Sequence, residues 1–276
     1  MMRVLWPVCS LVALSLLSSP VHAQAPDKPT VSVTPLANAH SHNDYEHDRP
    51  LLDALDHGFT SIEADIFLSE GQLLVTHDVL DVPLAVSKER TLEKLYLQPL
   101  QERATANHGR VYKDGPTVTL LIDIKANGAA AYAALHDLLK QYDSLISVTH
   151  DGVYTENAVT VIISGDRPIQ EIDDSKPRRA GIDGRVADLD SEKPVALLPL
   201  ISDNWISHFR YRGLGPMPDA DREKLHDMVH RAHAKGRRIR FWATPENHLL
   251  WQELKAAGVD LIGTDDLAKL SAFLRS

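Results

Sequence analysis

The feature that most constrains this chain is an alternation. Eight short β-rich runs recur along it: "PLANAH", "SIEADIFL", "TVTLLIDIK", "AVTVIISG", "AGIDGRVADL", "VALLPLIS", "RIRFWAT" and "VDLIGTD". Amphipathic helical stretches separate several of them. In "AAAYAALHDLLKQY", Tyr132, Leu135, Leu139 and Tyr142 fall near one stripe, the spacing that puts side chains on a single helix face. "DADREKLHDMVHRAHAKG" gathers Leu225, Met228, Val229 and Ala232 in the same way and ends on Gly236, and "NHLLWQELKAAG" ends on Gly258. Glycine is the usual residue just past a helix C-terminus. Strands separated by helices build right-handed βαβ units on a parallel sheet. Eight of them predict an α/β fold, a single-domain (β/α)8 TIM barrel over residues 36–276, with a doubly wound open sheet as the alternative. No fixed-period repeat and no glycine-rich phosphate loop interrupts the pattern.

The opening residues read differently. "MMRVLWPVCSLVALSLLSSPVHAQA" carries one arginine near its start, an apolar run over residues 5–17, and Val21-His22-Ala23 before Gln24. This is the pattern of a secretory signal peptide, residues 1–23. A membrane span needs roughly 20 apolar residues, so a retained anchor is the weaker alternative. Residues 24–35 form a polar, Pro-bearing tether. The sole cysteine, Cys9, lies in the leader, so the mature chain would use no disulfide. The expectation is an exported protein, periplasmic or secreted, of about 250 residues, a size that one α/β barrel fills. The net charge of −9 argues against nucleic acid, whose binders present basic surfaces. "GRRIR" reads as a helix end entering a strand. Neither a membrane span in the mature chain nor a protein partner is implied.

Chemistry gathers at the ends of the β-rich runs. Glu63 and Asp65 are two apart in "SIEADIFL", and Asp123 and Lys125 are two apart in "TVTLLIDIK", so each pair shares a strand face. Charges inside apolar runs are costly unless paired or metal-bound. In a parallel barrel such strand ends converge on one mouth, where active sites are built. Three carboxylates suit a hard divalent cation, Mg²⁺ or Ca²⁺, better than zinc; the competing reading pairs them with Lys125 and nearby arginines. The stretch "NAHSHNDYEHDRP" adds His40 and His42, two apart at the end of the first run, and His77 ends the apolar run "LLVTHD". His226, His230 and His233 lie along one charged helix and read as a solvated face. Two neutral-pH proton carriers beside a cation are what acid–base cleavage of a phosphodiester requires.

At this point the sequence resembles a known family. "AHSHND…GFTSIEADIFLSEGQLLVTHD…LLIDIK…GVDLIGTDD" is similar to the glycerophosphodiester phosphodiesterases of the phosphatidylinositol-phospholipase-C-like barrel superfamily, from about Ala37 to Leu267. "HSHNDY" and "RFWATPENHLLWQELKAAGVDLIGTDDL" look most like a branch that includes a fungal mitochondrial-inheritance protein. Asn43, three after His40, and the Asp123-x-Lys125 pair are similar to sphingomyelinase D. The resemblance implies His40 and His77 as catalytic acid and base, Glu63, Asp65 and Asp123 as metal ligands, and Asn43 and Lys125 on the phosphate. It implies Trp242 against the substrate, and His42 is expected in a supporting or substrate-contacting role. The reaction implied is cleavage of a small-molecule or lipid phosphodiester. The family's usual "HRG…PEN" opening is replaced by "HSHND", and the third acid is Asp where many members have Glu.

Two other readings compete. H-x-H at the end of a first strand also binds zinc or manganese in amidohydrolase-like and polymerase-and-histidinol-phosphatase-like hydrolases, with Asp265 as a possible last-strand ligand; those sites need further histidines, and "TVIISG" and "LLPLIS" supply none. A non-catalytic periplasmic binding protein on a degenerate barrel would have lost catalytic positions, whereas both histidines and all three acids are present.

Overall fold

A computed structural model describes residues Val33–Ser276. Residues 1–23, read as a leader, and most of the tether lie outside the described part. The described residues hold eleven strands: β1 (Leu36–Ser41), β2 (Phe59–Ser69), β3 (Gln72–Val75), β4 (Val118–Ile124), β5 (Val148–His150), β6 (Val153–Thr155), β7 (Val159–Gly165), β8 (Gly181–Gly184), β9 (Leu200–Asn204), β10 (Arg238–Trp242) and β11 (Leu261–Thr264). The α-helices are α1 (Leu52–Asp56), α2 (Val82–Ser87), α3 (Gln98–Ala106), α4 (Gly128–Leu139), α5 (Ile169–Asp174), α6 (Trp205–His208), α7 (Asp219–Ala234), α8 (His248–Ala257) and α9 (Leu267–Arg275).

Eight strands form one parallel sheet in the order β1-β11-β10-β9-β8-β7-β4-β2, and a β1–β2 pairing closes it into a barrel. All eight β-rich runs of the sequence supply these strands, and the open-sheet alternative falls with the closure. The helices cover the outside because their apolar stripes match the outward strand faces. Tyr132, Leu135 and Leu139 of α4 and Leu225, Met228, Val229 and Ala232 of α7 are all buried. Gly258 takes the left-handed conformation (φ 82°) that ends α8, where a Cβ would be strained.

The lumen is layered. Leu121, Ile162, Leu200 and Leu261 make a small apolar cluster separate from the main core between sheet and helices. Two residues further along these strands the large apolar side chains give way to polar ones, Asp123 on β4, Ser164 on β7 and Ser202 on β9, and to Gly263 on β11. The apolar layer is the floor on which the polar layer stands. Two hairpins decorate the barrel. β3 folds back on β2 (Ile66 opposite Val75), and β5 pairs with β6.

Candidate active site

Side-by-side register assembles the acids. Asp65 lies opposite Asp123, and Asp123 opposite Ser164; parallel neighbours in register point the same way, so alternation on two strands becomes one carboxylate cluster. Glu63, Asp65 and Asp123 offer oxygens that all lie within 4.8 Å of one another. Among the described residues this is the one group of three or more such side chains. Their partners leave a pattern. Glu63 Oε2 takes both His40 Nε2 and Arg240 Nη2, each at 2.9 Å. Asp65 Oδ2 takes the Tyr45 hydroxyl at 2.8 Å and Lys125 Nζ at 2.7 Å. Asp123 Oδ1 lies 3.4 Å from Lys125 Nζ. Asp65 Oδ1 is buried with no partner. No hydrogen bond or ion pair of the described residues reaches Glu63 Oε1 or Asp123 Oδ2 either. Each carboxylate therefore keeps one oxygen uncommitted, and for the buried Asp65 Oδ1 an unmet acceptor is costly. An all-oxygen set of this kind fits a hard divalent cation.

The electrostatics follow from burial and neighbours. Burial alone would raise Glu63, but the Arg240 guanidinium and the His40 hydrogen bond hold it well below the usual carboxylate range. Asp65 is pushed up to about 6, first by burial and then by the Glu63 charge, with Lys125 opposing. Asp123 moves up for the same first reason. Burial, with Arg240 next, drives His40 down to about 3, so it is neutral. With Glu63 ionised, His40 Nε2 must carry the proton it shares, and Ser61 Oγ donates to Nδ1 across 2.7 Å.

The predicted residues do not all sit alike. His40 is fully enclosed. His42, just past the end of β1, turns to Asp265, with Nδ1 2.7 Å from Oδ1. Asn43 donates to that same oxygen at 3.3 Å, has its Oδ1 2.8 Å from the Tyr45 hydroxyl that also faces Asp65, and holds φ at 48°. His77 is exposed at the end of β3, beside Tyr45, Arg90 and Lys88 in a shallow pocket, and the Thr76 amide before it bonds the Asp65 carbonyl. Trp242, 38 % exposed, walls a cavity of about 130 Å³ with His42, Arg240, Glu246 and Asp265. His40 and His42 thus part company, one to Glu63 and one to Asp265, and do not form the paired metal ligands of the H-x-H reading.

Arg240 was not singled out from the sequence. It is buried inside the barrel, whereas "GRRIR" reads only as a helix end entering a strand. The usable signal was period-2 alternation, Arg238 and Arg240 on one face with Ile239 and Phe241 on the other. Asp183 was missed as well. It is buried on β8, holding Ser164, Ser202 and Arg185 at 2.6–2.9 Å.

Comparison with solved structures returns the same fold class, a closed (β/α)8 barrel. A glycerophosphodiester phosphodiesterase from Parabacteroides distasonis superposes with a TM-score of 0.56 at 14% identity, covering 86% of this chain and 96% of that one. One from Agrobacterium tumefaciens gives 0.51 at 16% identity, covering 87% and 100%. Within that class, residues 28–182 match the AIM6-like phosphodiesterase domain, and the chain belongs to that family. Similar proteins include the altered inheritance of mitochondria protein 6 homolog of Arthroderma benhamiae, 28% identical over 90% of this chain and 87% of the relative. Altered inheritance of mitochondria protein 6 of Lachancea thermotolerans is 30% identical over 88% and 67%. These relatives overturn the expectation of a periplasmic or secreted protein, because they are fungal proteins named for altered inheritance of mitochondria. A short apolar leader is a generic targeting device, so its pattern does not name a compartment.

Proposed function

We propose that this chain is a divalent-cation-dependent phosphodiesterase acting on a glycerophosphodiester or phospholipid-type P–O bond. The observation that carries the reading is the three carboxylates within 4.8 Å of one another, each with an uncommitted oxygen. Glu63, Asp65 and Asp123 would hold Mg²⁺ or Ca²⁺. Bound there, the cation supplies Lewis-acid polarisation of a phosphoryl oxygen and offsets the charge that grows in the transition state.

The chain's own residues complete the site. Lys125 Nζ has three protons and uses Asp65 and Asp123 for two directions, which leaves a donor for a phosphoryl oxygen. Asn43 stands beside it through Tyr45, and Trp242 offers an apolar wall to the organic part of the diester. The proton carriers implied by the resemblance would be His77, exposed just after β3, and His40, enclosed against Glu63. Membership in a family described as phosphodiesterase-like supports the same reaction class.

A substrate panel tests this. The purified chain should cleave at least one of a glycerophosphodiester, a lysophospholipid, sphingomyelin and a chromogenic diester in Mg²⁺ or Ca²⁺, and should spare phosphomonoesters. Cleavage of monoesters in preference, or of no diester, contradicts it.

A further inference from the structure

Cleaving a diester with an alkoxide leaving group needs two proton carriers that substrate can reach, one for the attacking oxygen and one for the leaving oxygen. His77 is exposed. His40 is not reachable in this arrangement. None of its surface is open, and both ring nitrogens are committed, to Ser61 and to Glu63. His42 offers what His40 lacks. Its Nδ1 is tied to Asp265 Oδ1 at 2.7 Å, while no protein group of the described residues bonds its Nε2. It lines the cavity beside Trp242, and Arg240, which also lines that cavity, grips Glu63 at 2.9 Å. The cavity thus adjoins the acid cluster.

Asp265 is itself held. Glu246 accepts the Asp265 amide at 2.7 Å and the Thr264 hydroxyl at 2.6 Å, and Asn43 bonds the same Asp265 oxygen as His42 does. A carboxylate fixed behind one ring nitrogen sets the tautomer, aims the other nitrogen and steadies the imidazolium.

We propose that His42, oriented by Asp265, is the catalytic acid that protonates the leaving oxygen, and that His40 is a positioning residue for Glu63. The assignment rests on the phosphodiesterase reading above. In the step, the attacking oxygen forms a bond to phosphorus and gives up its proton on the His77 side. The bond from phosphorus to the leaving oxygen breaks, its electron pair stays on that oxygen, and the proton comes from His42 Nε2. His42 ends neutral and is reprotonated from solvent. Burial alone would lower the His42 pKa, but the Asp265 hydrogen bond leads the effects that raise it above the ordinary imidazole value.

Leaving-group dependence tests this. A nitrophenolate departs without a proton, whereas an alkoxide does not. His42→Ala should lower kcat on glycerophosphocholine by at least about 100-fold and leave bis(4-nitrophenyl) phosphate within about tenfold of wild type. Added imidazole should restore part of the alkyl activity. Asp265→Asn should shift the alkaline limb of the pH profile to lower pH, because the charge that favours the imidazolium is gone. The remaining charged or titratable groups around His42 are Glu63, Arg240, Glu246 and His40, which that variant leaves in place. Equal losses on both diesters, no loss, or an unmoved alkaline limb overturns the assignment. Should His42→Ala fail to fold, the Asp265→Asn profile decides. A wild type that cleaves no diester removes the phosphodiesterase reading together with this one, whereas a wild type that cleaves both, beside an indifferent His42→Ala, removes this one alone.

Discussion

Arg240 joins the stability of the barrel to its chemistry. It is buried at 3 % exposure against a Glu63 that is almost as enclosed, and one Glu63 oxygen serves both it and His40. Removing one partner of such a pair strands the other charge, which costs about 3–5 kcal/mol. Arg240→Met should therefore lower the unfolding free energy by that amount, read from urea denaturation as a fall in the midpoint. Arg240→Met combined with Glu63→Gln should recover part of it, because the stranded charge is then gone. Equal midpoints for wild type and the single variant would mean that the pair holds nothing together. His77 presents the opposite case. It is exposed, so His77→Ala should leave the melting temperature unchanged while turnover falls by at least about 100-fold, the usual cost of losing a general acid or base. Near-normal turnover would remove His77 from the reaction. The acids were legible in the sequence because a charge every second residue inside an apolar run has few uses. Arg240 was not, because "GRRIR" reads only as a helix end entering a strand.

Among the elements, the end of β7 is the most constrained. Gly165 has φ +70°, and a Cβ there would lie 2.3 Å from the Ile124 carbonyl oxygen and 2.4 Å from Asp123 Oδ1. β4 and Asp123 can approach β7 this closely only because that atom is missing. Gly165→Ala should displace Asp123 and weaken divalent-cation binding at least about tenfold, measured by calorimetric titration, since ligand geometry governs affinity at such sites. Unchanged affinity would show that Asp123 is not a ligand. The eight barrel strands and helices α4, α7 and α8 were readable from periodicity, since each has one face in the core. The hairpins were not read, although their turns carry a signal. Asp151 and Gly152 both have positive φ, as do Glu70 and Gly71, the two-residue geometry that reverses a strand. Asp-Gly between "VTH" and "VYT" announces β5 and β6. Glu-Gly is a weaker cue, and "LLVTHD" read as a strand-like run without revealing that it folds back on β2.

For the molecule as a whole, the barrel was visible in the sequence because its rule is repetitive, and the branch of the family was visible in the blocks at its two ends. The compartment was not, since residues 1–23 carry only hydrophobicity and one charge. What the account requires of the folded chain is a cation that binds it and not the unfolded state. At a concentration a hundredfold above its dissociation constant, such a ligand adds about 2.7 kcal/mol of stability, a rise in melting temperature of roughly 5–10 °C for a chain this long. The shift should shrink in Asp123→Asn, which removes one of three negative charges. The most direct test is the rate of diester hydrolysis by the purified protein as a chelator is added and Mg²⁺ or Ca²⁺ is returned. The account predicts that activity vanishes on chelation and returns with the cation, and that Asp123→Asn needs more cation for the same recovery. Hydrolysis indifferent to chelator, or none at any cation concentration, would contradict it and leave Glu63, Asp65 and Asp123 as partners of Arg240 and Lys125 alone.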